Sequence, residues 1–297
     1  MTSAAAVPTV HRIPTRNGDE LRVLDWDAGG TPVVLLHPNG FCGGLYEPIA
    51  RSLLGTTRSI AIDLVGHGAS TAPANPARYQ FASMARDVID VLDHLALRGI
   101  AGVGGSLGGA VAVLVDQVDP GRWSQLLLAE PVAFPRSSLG SSRPNPMALA
   151  ARRRRRSFAT RAEMYAQYRN KAPLSQLSAE ALDAYLRWGT VERADGLHLA
   201  CDPDTEALVF EMSATSYGAP AAWDHLEHLA CSAVIVAGED TFLPAIFDHQ
   251  AQRAGATLLT VPGGHFVLHE NTSRTEALLR AHVLGRPDPS PATGGSR

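Results

Sequence analysis

The sequence predicts an α/β domain built on a mostly parallel, doubly wound sheet that carries an inserted helical cap. Three observations predict it: short apolar runs alternate with stretches of helical periodicity, the strand signal stops for about ninety residues between two such runs, and 297 residues suffice for one large domain with an insertion. The hydrophobic fraction of 45% is that of a globular chain, and no apolar run reaches the roughly 18 to 20 residues that span a bilayer.

Residues 10–27 alternate polar and apolar side chains around Asn17-Gly18, a turn signal between two strands, so the chain opens with a hairpin. After Gly29-Gly30 comes Val33-Val34-Leu35-Leu36, a continuous apolar run suited to a strand buried on both faces. A helix over 45–54, a strand over 59–64 and a long helix over 81–97 follow. The alternation continues with a strand over 100–104, a helix over 107–118 and a strand over 125–129. Strands over 233–237 and 257–261 complete the series. Between 131 and 223 stands a Pro/Ser-rich linker, 135–146, and then amphipathic stretches such as 179–191. The chain therefore divides into a core of 1–130 and 224–285, a helical cap of 131–223, and a Pro/Gly/Ser-rich tail, 286–297, expected to be disordered.

Gly104-Gly105-Ser106-Leu107-Gly108 fits G-x-S-x-G and lies between an apolar strand and an apolar helix, where that motif belongs. The small residues allow a turn tight enough to push the Ser106 hydroxyl out above the sheet, with Leu107 N–H facing the same space. Gly102-x-Gly104-x-x-x-Gly108 with Glu130 loosely imitates a dinucleotide-binding unit, but its spacing is off by one residue. A serine hydroxyl needs a positioned base, which must come from far downstream in the same sheet. His265 meets that need, in the Pro262-Gly263-Gly264-His265-Phe266 loop after the last apolar run. His265 and His269 stand four apart, yet neither an H-E-x-x-H motif nor a third ligand accompanies them, so no metal is expected.

The loop His37-Pro38-Asn39-Gly40-Phe41 follows the first buried strand and should supply a second oxyanion donor from its backbone. Pro38 has no N–H, which makes Asn39 the first choice and Gly40 or Phe41 the alternatives. Two carboxylates satisfy the chain order serine, acid, histidine: Glu130, at the end of the strand after the Ser106 helix, and Asp240, in Gly238-Glu239-Asp240-Thr241.

Together these motifs resemble the α/β-hydrolase superfamily, over nearly the whole chain from the hairpin to about Leu284. Asp63-Leu64-Val65-Gly66-His67-Gly68-Ala69-Ser70 is similar to that family's D-x-x-G-x-G-x-S segment, which is structural. The resemblance implies a helical cap at the insertion. It also implies an acid three residues beyond the glycine ending the seventh strand, where this chain has Thr241 and Asp240 comes one residue early. Some members, including certain lactonases and dehalogenases, place the acid directly after the sixth strand, where Glu130 stands; Glu130 is therefore ranked first and Asp240 second. Gly105 replaces a histidine common in relatives at a position outside the triad. A serine nucleophile argues against the dehalogenases and epoxide hydrolases of this fold, which use aspartate.

The expected activity is hydrolysis of a small or medium hydrophobic ester, lactone or related carbonyl compound through an acyl-enzyme, without a cofactor. Thioester and C–C bond hydrolysis, and a ligand-binding protein that does not turn over, are the alternatives. The cap aromatics Phe158, Tyr165, Tyr168, Tyr185, Trp188, Phe210, Tyr217 and Trp223 are candidate substrate contacts, with Phe41, Tyr165, Trp188 and Tyr217 put first. Arg152 to Arg156, five consecutive arginines on an expected helix, must point all around it, so at least one faces protein. A formal charge of −3 speaks against nucleic acid and membrane surfaces as partners, leaving a small-molecule substrate. Three scattered cysteines form no zinc or redox spacing, and the N-terminus lacks the features of a secretory signal, so a cytoplasmic location is expected.

Overall fold

The computed structural model describes residues 7–138, 145–241 and 243–284. The hairpin is there: β1 (Thr9–Pro14) pairs antiparallel with β2 (Glu20–Trp26). The core continues through β3 (Thr31–Leu36), α1 (Glu47–Ser52), β4 (Thr57–Ile62), α2 (Phe81–His94), β5 (Ile100–Gly105), α3 (Leu107–Val118) and β6 (Trp123–Ala129).

The next segment leaves the sheet. It holds α4 (Pro146–Arg152), β7 (Ser157–Phe158), α5 (Arg161–Arg169), α6 (Ala179–Trp188), β8 (Thr190–Arg193), β9 (Gly196–Leu199), α7 (Pro203–Ser213) and α8 (Ala219–His225). The chain then returns through β10 (Ser232–Gly238), α9 (Pro244–Ala254), β11 (Thr257–Val261), α10 (Val267–Glu270) and α11 (Thr272–His282). The expected tail at 286–297 and residues 139–144, half of the 135–146 linker, lie outside the described residues.

The eight core strands form one sheet in the order β1-β2-β4-β3-β5-β6-β10-β11, parallel from β4 onward. Val34 and Leu36 of β3 pack into one buried cluster, with α2, α3, α8 and α9, while Val33 and Leu35 pack into another, with α1 and α11. Side chains alternate across a strand, so the unbroken apolar run is what a sheet covered on both faces demands. Strand order reverses at β3: the chain goes from β3 to β4 on one side, then to β5 on the other. A crevice opens at the carboxyl ends of strands where the winding changes direction. The Pro38–Phe41 loop follows β3 and Ser106 follows β5, so both sit at this crevice.

The inserted segment corrects one expectation. It is not all helix: β7, β9 and β8 make a small antiparallel sheet, with Arg193 paired to Gly196 across a turn through Asp195. Strands of two to four residues are too short to show a period-2 pattern, although Asp195-Gly196 is itself a hairpin signal. The arginine run is a second correction, because α4 ends at Arg152 and the rest of the run is irregular. Arg152, Arg155 and Arg156 pair with Glu211, Glu163, and Asp202 with Asp204, respectively, while Arg154 turns inward.

Candidate active site

Ser106 sits between β5 and α3 at φ 53° and ψ −115°, a backbone conformation that L-residues rarely adopt. The flanking glycines permit it. A Cβ on Gly104 would lie 2.5 Å from the Gly108 carbonyl oxygen, and one on Gly108 would lie 2.1 Å from that of Leu36, so helix and strand touch at the backbone. A Cβ on Gly105 would meet nothing nearer than 3.6 Å, so that position has room for a side chain. The turn is pinned by Ser106 N–H to Ala129 O (2.9 Å) and by Val132 N–H to Ser106 O (3.1 Å).

His265 comes from the loop after β11. Its Nε2 is 3.1 Å from Ser106 Oγ and its Nδ1 is 2.8 Å from Glu130 Oε2. Glu130 accepts at Nδ1, so the proton belongs there and Nε2 is left to accept from the serine hydroxyl. Glu130 is 1% exposed and itself stands at φ 43°; its other oxygen accepts Gly238 N–H at 2.9 Å. Each carboxylate oxygen thus has a donor, which is what a buried charge requires. The acid that a dinucleotide-binding unit would turn to a ribose is on the imidazole instead. Asp240 is exposed, and its backbone N–H bonds Gly263 O at 2.9 Å; the structure brings Glu130, not Asp240, to His265. Glu270 was missed in the sequence: both its oxygens lie within 3.1 Å of Gly264 N, bracing the loop that holds His265.

Of the three oxyanion candidates after β3, Phe41 N–H is committed to Pro38 O at 3.3 Å, leaving Asn39 and Gly40. Asn39, Leu107, Ser106 and His265 border one cavity of about 2050 Å³, as does Phe41. His37 is structural: Nδ1 bonds Pro38 O at 2.8 Å and Nε2 accepts Leu64 N–H at 3.0 Å.

The expected pocket aromatics need correction. Tyr165, Trp188 and Tyr217 do not border the cavity. Trp188 gives its indole N–H to Glu47 of α1 (2.8 Å), Tyr165 packs into the core of the inserted segment, and Tyr217 is 58% exposed. The walls come from Phe134, Tyr168, Phe210, Met212, Ile246 and Phe266, with buried Glu206 and half-buried Arg154 as polar members. Glu206, Val209, Phe210 and Ser213 share one face of α7 at spacings of three, four and seven, the signal that could have found them.

Beneath the site, burial pushes His37 down to about 4, and His67 and His269 down to about 3. Rings held neutral in the fold but protonated in the unfolded chain contribute stability above about pH 6.5 that is lost as pH falls toward the folded values. Asp87, whose carboxyl burial pushes up, acts in the opposite sense. Among the described residues neither ring nitrogen of His269 has a hydrogen-bond partner, and the ring packs edge-on against Tyr46. The melting temperature is therefore expected to be lower at pH 5 than at pH 7.5, and His269→Leu to shrink that difference. An undiminished difference would remove His269 from the account.

The model of the alpha/beta hydrolase family matches residues 33–281. The dihydrolipoyllysine-residue acetyltransferase component of the acetoin cleaving system of Pseudomonas putida is 36% identical over 113 residues, 36% of this chain and 30% of that one. Monoglyceride lipase of Homo sapiens is 33% identical over 127 residues, 40% of this chain and 41% of the lipase. The chain thus spans less than half the length of these curated relatives in either match. Among solved structures, E-2-(acetamidomethylene)succinate hydrolase superposes with a TM-score of 0.79 at 17% identity, covering 94% of this chain and 100% of that one, a likeness of fold.

Proposed function

The chain belongs to the alpha/beta hydrolase family, and on that premise we propose that it is a serine hydrolase cleaving a hydrophobic ester, lactone or related carbonyl compound through an acyl-enzyme. The observation that carries the proposal is the relay from Glu130 through His265 to Ser106, at 2.8 and 3.1 Å. Ser106 Oγ attacks the substrate carbonyl carbon as its proton passes to His265 Nε2, and Glu130 stabilises the imidazolium and holds its orientation. The carbonyl oxygen becomes an oxyanion received by Leu107 N–H and by Asn39 N–H, with Gly40 the alternative donor. Collapse of the tetrahedral intermediate expels the leaving group, which takes the proton from His265. Water, deprotonated by the same imidazole, then frees the acid and restores Ser106.

The walls support this substrate class. Phe134, Tyr168, Phe210 and Phe266 give an apolar lining, and the cavity exceeds the roughly 300 to 1000 Å³ of ordinary ligand sites. An acyl chain of medium length fits that space. The relatives' named activities include a lipase, which acts on the bond type proposed here. A small-molecule substrate, no nucleic-acid or membrane partner and a cytoplasmic location belong to the same proposal. No helix among the described residues is long and apolar enough to cross a membrane.

The test is a panel of chromogenic acyl esters and lactones of graded length, read beside labelling by a fluorophosphonate. Turnover with labelling at Ser106 supports the proposal; stoichiometric labelling without turnover of any substrate replaces it with a ligand-binding protein. Phe210→Ala is expected to change the order of kcat/KM across the panel by roughly 10-fold or more for the longest chains, whereas Tyr217→Ala leaves the order unchanged. The reverse would relocate the pocket.

A further inference from the structure

The oxyanion donor sits on a loop held from two sides: on the core side His67 Nε2 lies 3.1 Å from Asn39 Oδ1, and the inserted segment grips it from the other. Within the loop the only backbone bond is Phe41 N–H to Pro38 O, which shapes the turn but does not aim it. Three contacts from the inserted segment complete its aim. Asn39 Nδ2 donates to the carbonyl of Glu206 at 3.0 Å, Tyr185 donates its hydroxyl to the carbonyl of Gly40 at 3.3 Å, and the Glu206 carboxyl packs on the Gly40 α-carbon. That last approach is close: a Cβ on Gly40 would lie 2.7 Å from Glu206 Cδ, and Gly40 stands at φ 78°.

Arg154 closes the circuit. One guanidinium nitrogen bonds the Glu206 carboxylate, and another reaches the hydroxyls of Tyr185 at 3.0 Å and Tyr168 at 3.3 Å. The Tyr185 hydroxyl accepts from Arg154 and gives its single proton to Gly40, so its donor and acceptor capacity agree with both contacts. Glu206, Tyr168 and Tyr185 are all buried. An ion pair partly withdrawn from water is a weak device for stability, because desolvation offsets much of the attraction, so its presence beside this loop asks for another reason.

We propose that Arg154 and Glu206 are positioning residues that hold the Asn39–Gly40 turn in the conformation that presents its N–H to the oxyanion. This inference rests on the serine-hydrolase proposal. Arg154 has a second task in the same place: it neutralises a carboxylate lying against the loop where negative charge develops. Arg154→Met therefore does two kinds of harm, loosening the loop through Tyr185 and leaving the Glu206 charge uncompensated near the oxyanion. Replacing both residues removes the second harm.

The test is steady-state kinetics on Arg154→Met, Arg154→Lys, Glu206→Gln and the double variant, with melting temperature and the affinity of a trifluoromethyl ketone measured on each. A misaimed donor costs less than an absent one, so Arg154→Met should lower kcat by roughly 10- to 100-fold with KM within about threefold, and weaken the trifluoromethyl ketone by a similar factor. Arg154→Lys should recover part of the loss, and Arg154→Met with Glu206→Gln should be more active than Arg154→Met alone. If Arg154→Met does not fold, Arg154→Lys and Glu206→Gln decide, by whether kcat and ketone affinity fall together. The proposal is overturned if folded variants keep kcat within twofold, if the loss lies wholly in KM, or if the double variant is as poor as the product of the single ones. A wild-type protein that neither labels at Ser106 nor turns over an ester defeats the serine-hydrolase proposal instead, which keeps the two failures apart.

Discussion

Alanine at Ser106 or at His265 is expected to lower kcat by roughly 10⁴ to 10⁶, the range for members of such a relay. Their distances explain why the two losses should be alike and not additive. Ser106 Oγ has His265 Nε2 at 3.1 Å to take its proton, and without either partner the other has nothing to act on. What remains should be catalysis by the oxyanion donors and by binding alone. Measured kcat for Ser106→Ala, His265→Ala and the double variant should agree within about tenfold of each other. A serine variant keeping a tenth of wild-type activity would place the chemistry on another group.

The second large effect separates the two carboxylates. Glu130→Gln keeps the shape of the side chain but can offer a donor where His265 Nδ1–H needs an acceptor, which favours the wrong tautomer; a fall in kcat of roughly 10³ to 10⁴ is expected. Asp240→Ala removes an exposed side chain and should leave kcat within about threefold. Circular dichroism and melting temperature need to accompany Glu130→Gln, because the same carboxylate also holds Gly238 N–H at 2.9 Å. If Asp240→Ala were the more damaging of the two, the acid would have to reach His265 by a rearrangement of the loop after β10.

Much of this was legible in the residues themselves, for identifiable reasons. Strand β3 announces itself because Val33 to Leu36 is apolar at every position, and only a strand covered on both faces needs that. Ser106 and His265 were legible because each stands at a junction of strand and loop within a tight glycine context. Chain order alone left Glu130 and Asp240 level; the ranking came from the resemblance to family members that carry the acid after the sixth strand, and the 2.8 Å contact agrees with it. The pocket was not legible in the same way. Which face of a helix borders a cavity is set by tertiary packing, so the sequence could name the cap aromatics as a group but put Tyr165, Trp188 and Tyr217 ahead of Tyr168 and Phe210, the two that turn inward. The arginine run hid its one functional candidate for a related reason. Five identical neighbours carry no periodicity, and nothing local distinguishes Arg154, which meets Glu206 and Tyr185 from distant parts of the chain, from Arg152, Arg155 and Arg156, which pair at the surface.

The central claim is that an acyl group passes through Ser106. Ser106 is the only serine between Arg98 and Arg122, so a tryptic peptide covering 99–122 reports on it without ambiguity. Incubation with a chromogenic ester, acid quench within the first turnover and mass analysis of that peptide should find the mass of the acyl group added to 99–122 in the wild type and absent from Ser106→Ala. Turnover with the acyl mass on a different peptide, or with the same adduct persisting in Ser106→Ala, would contradict the account.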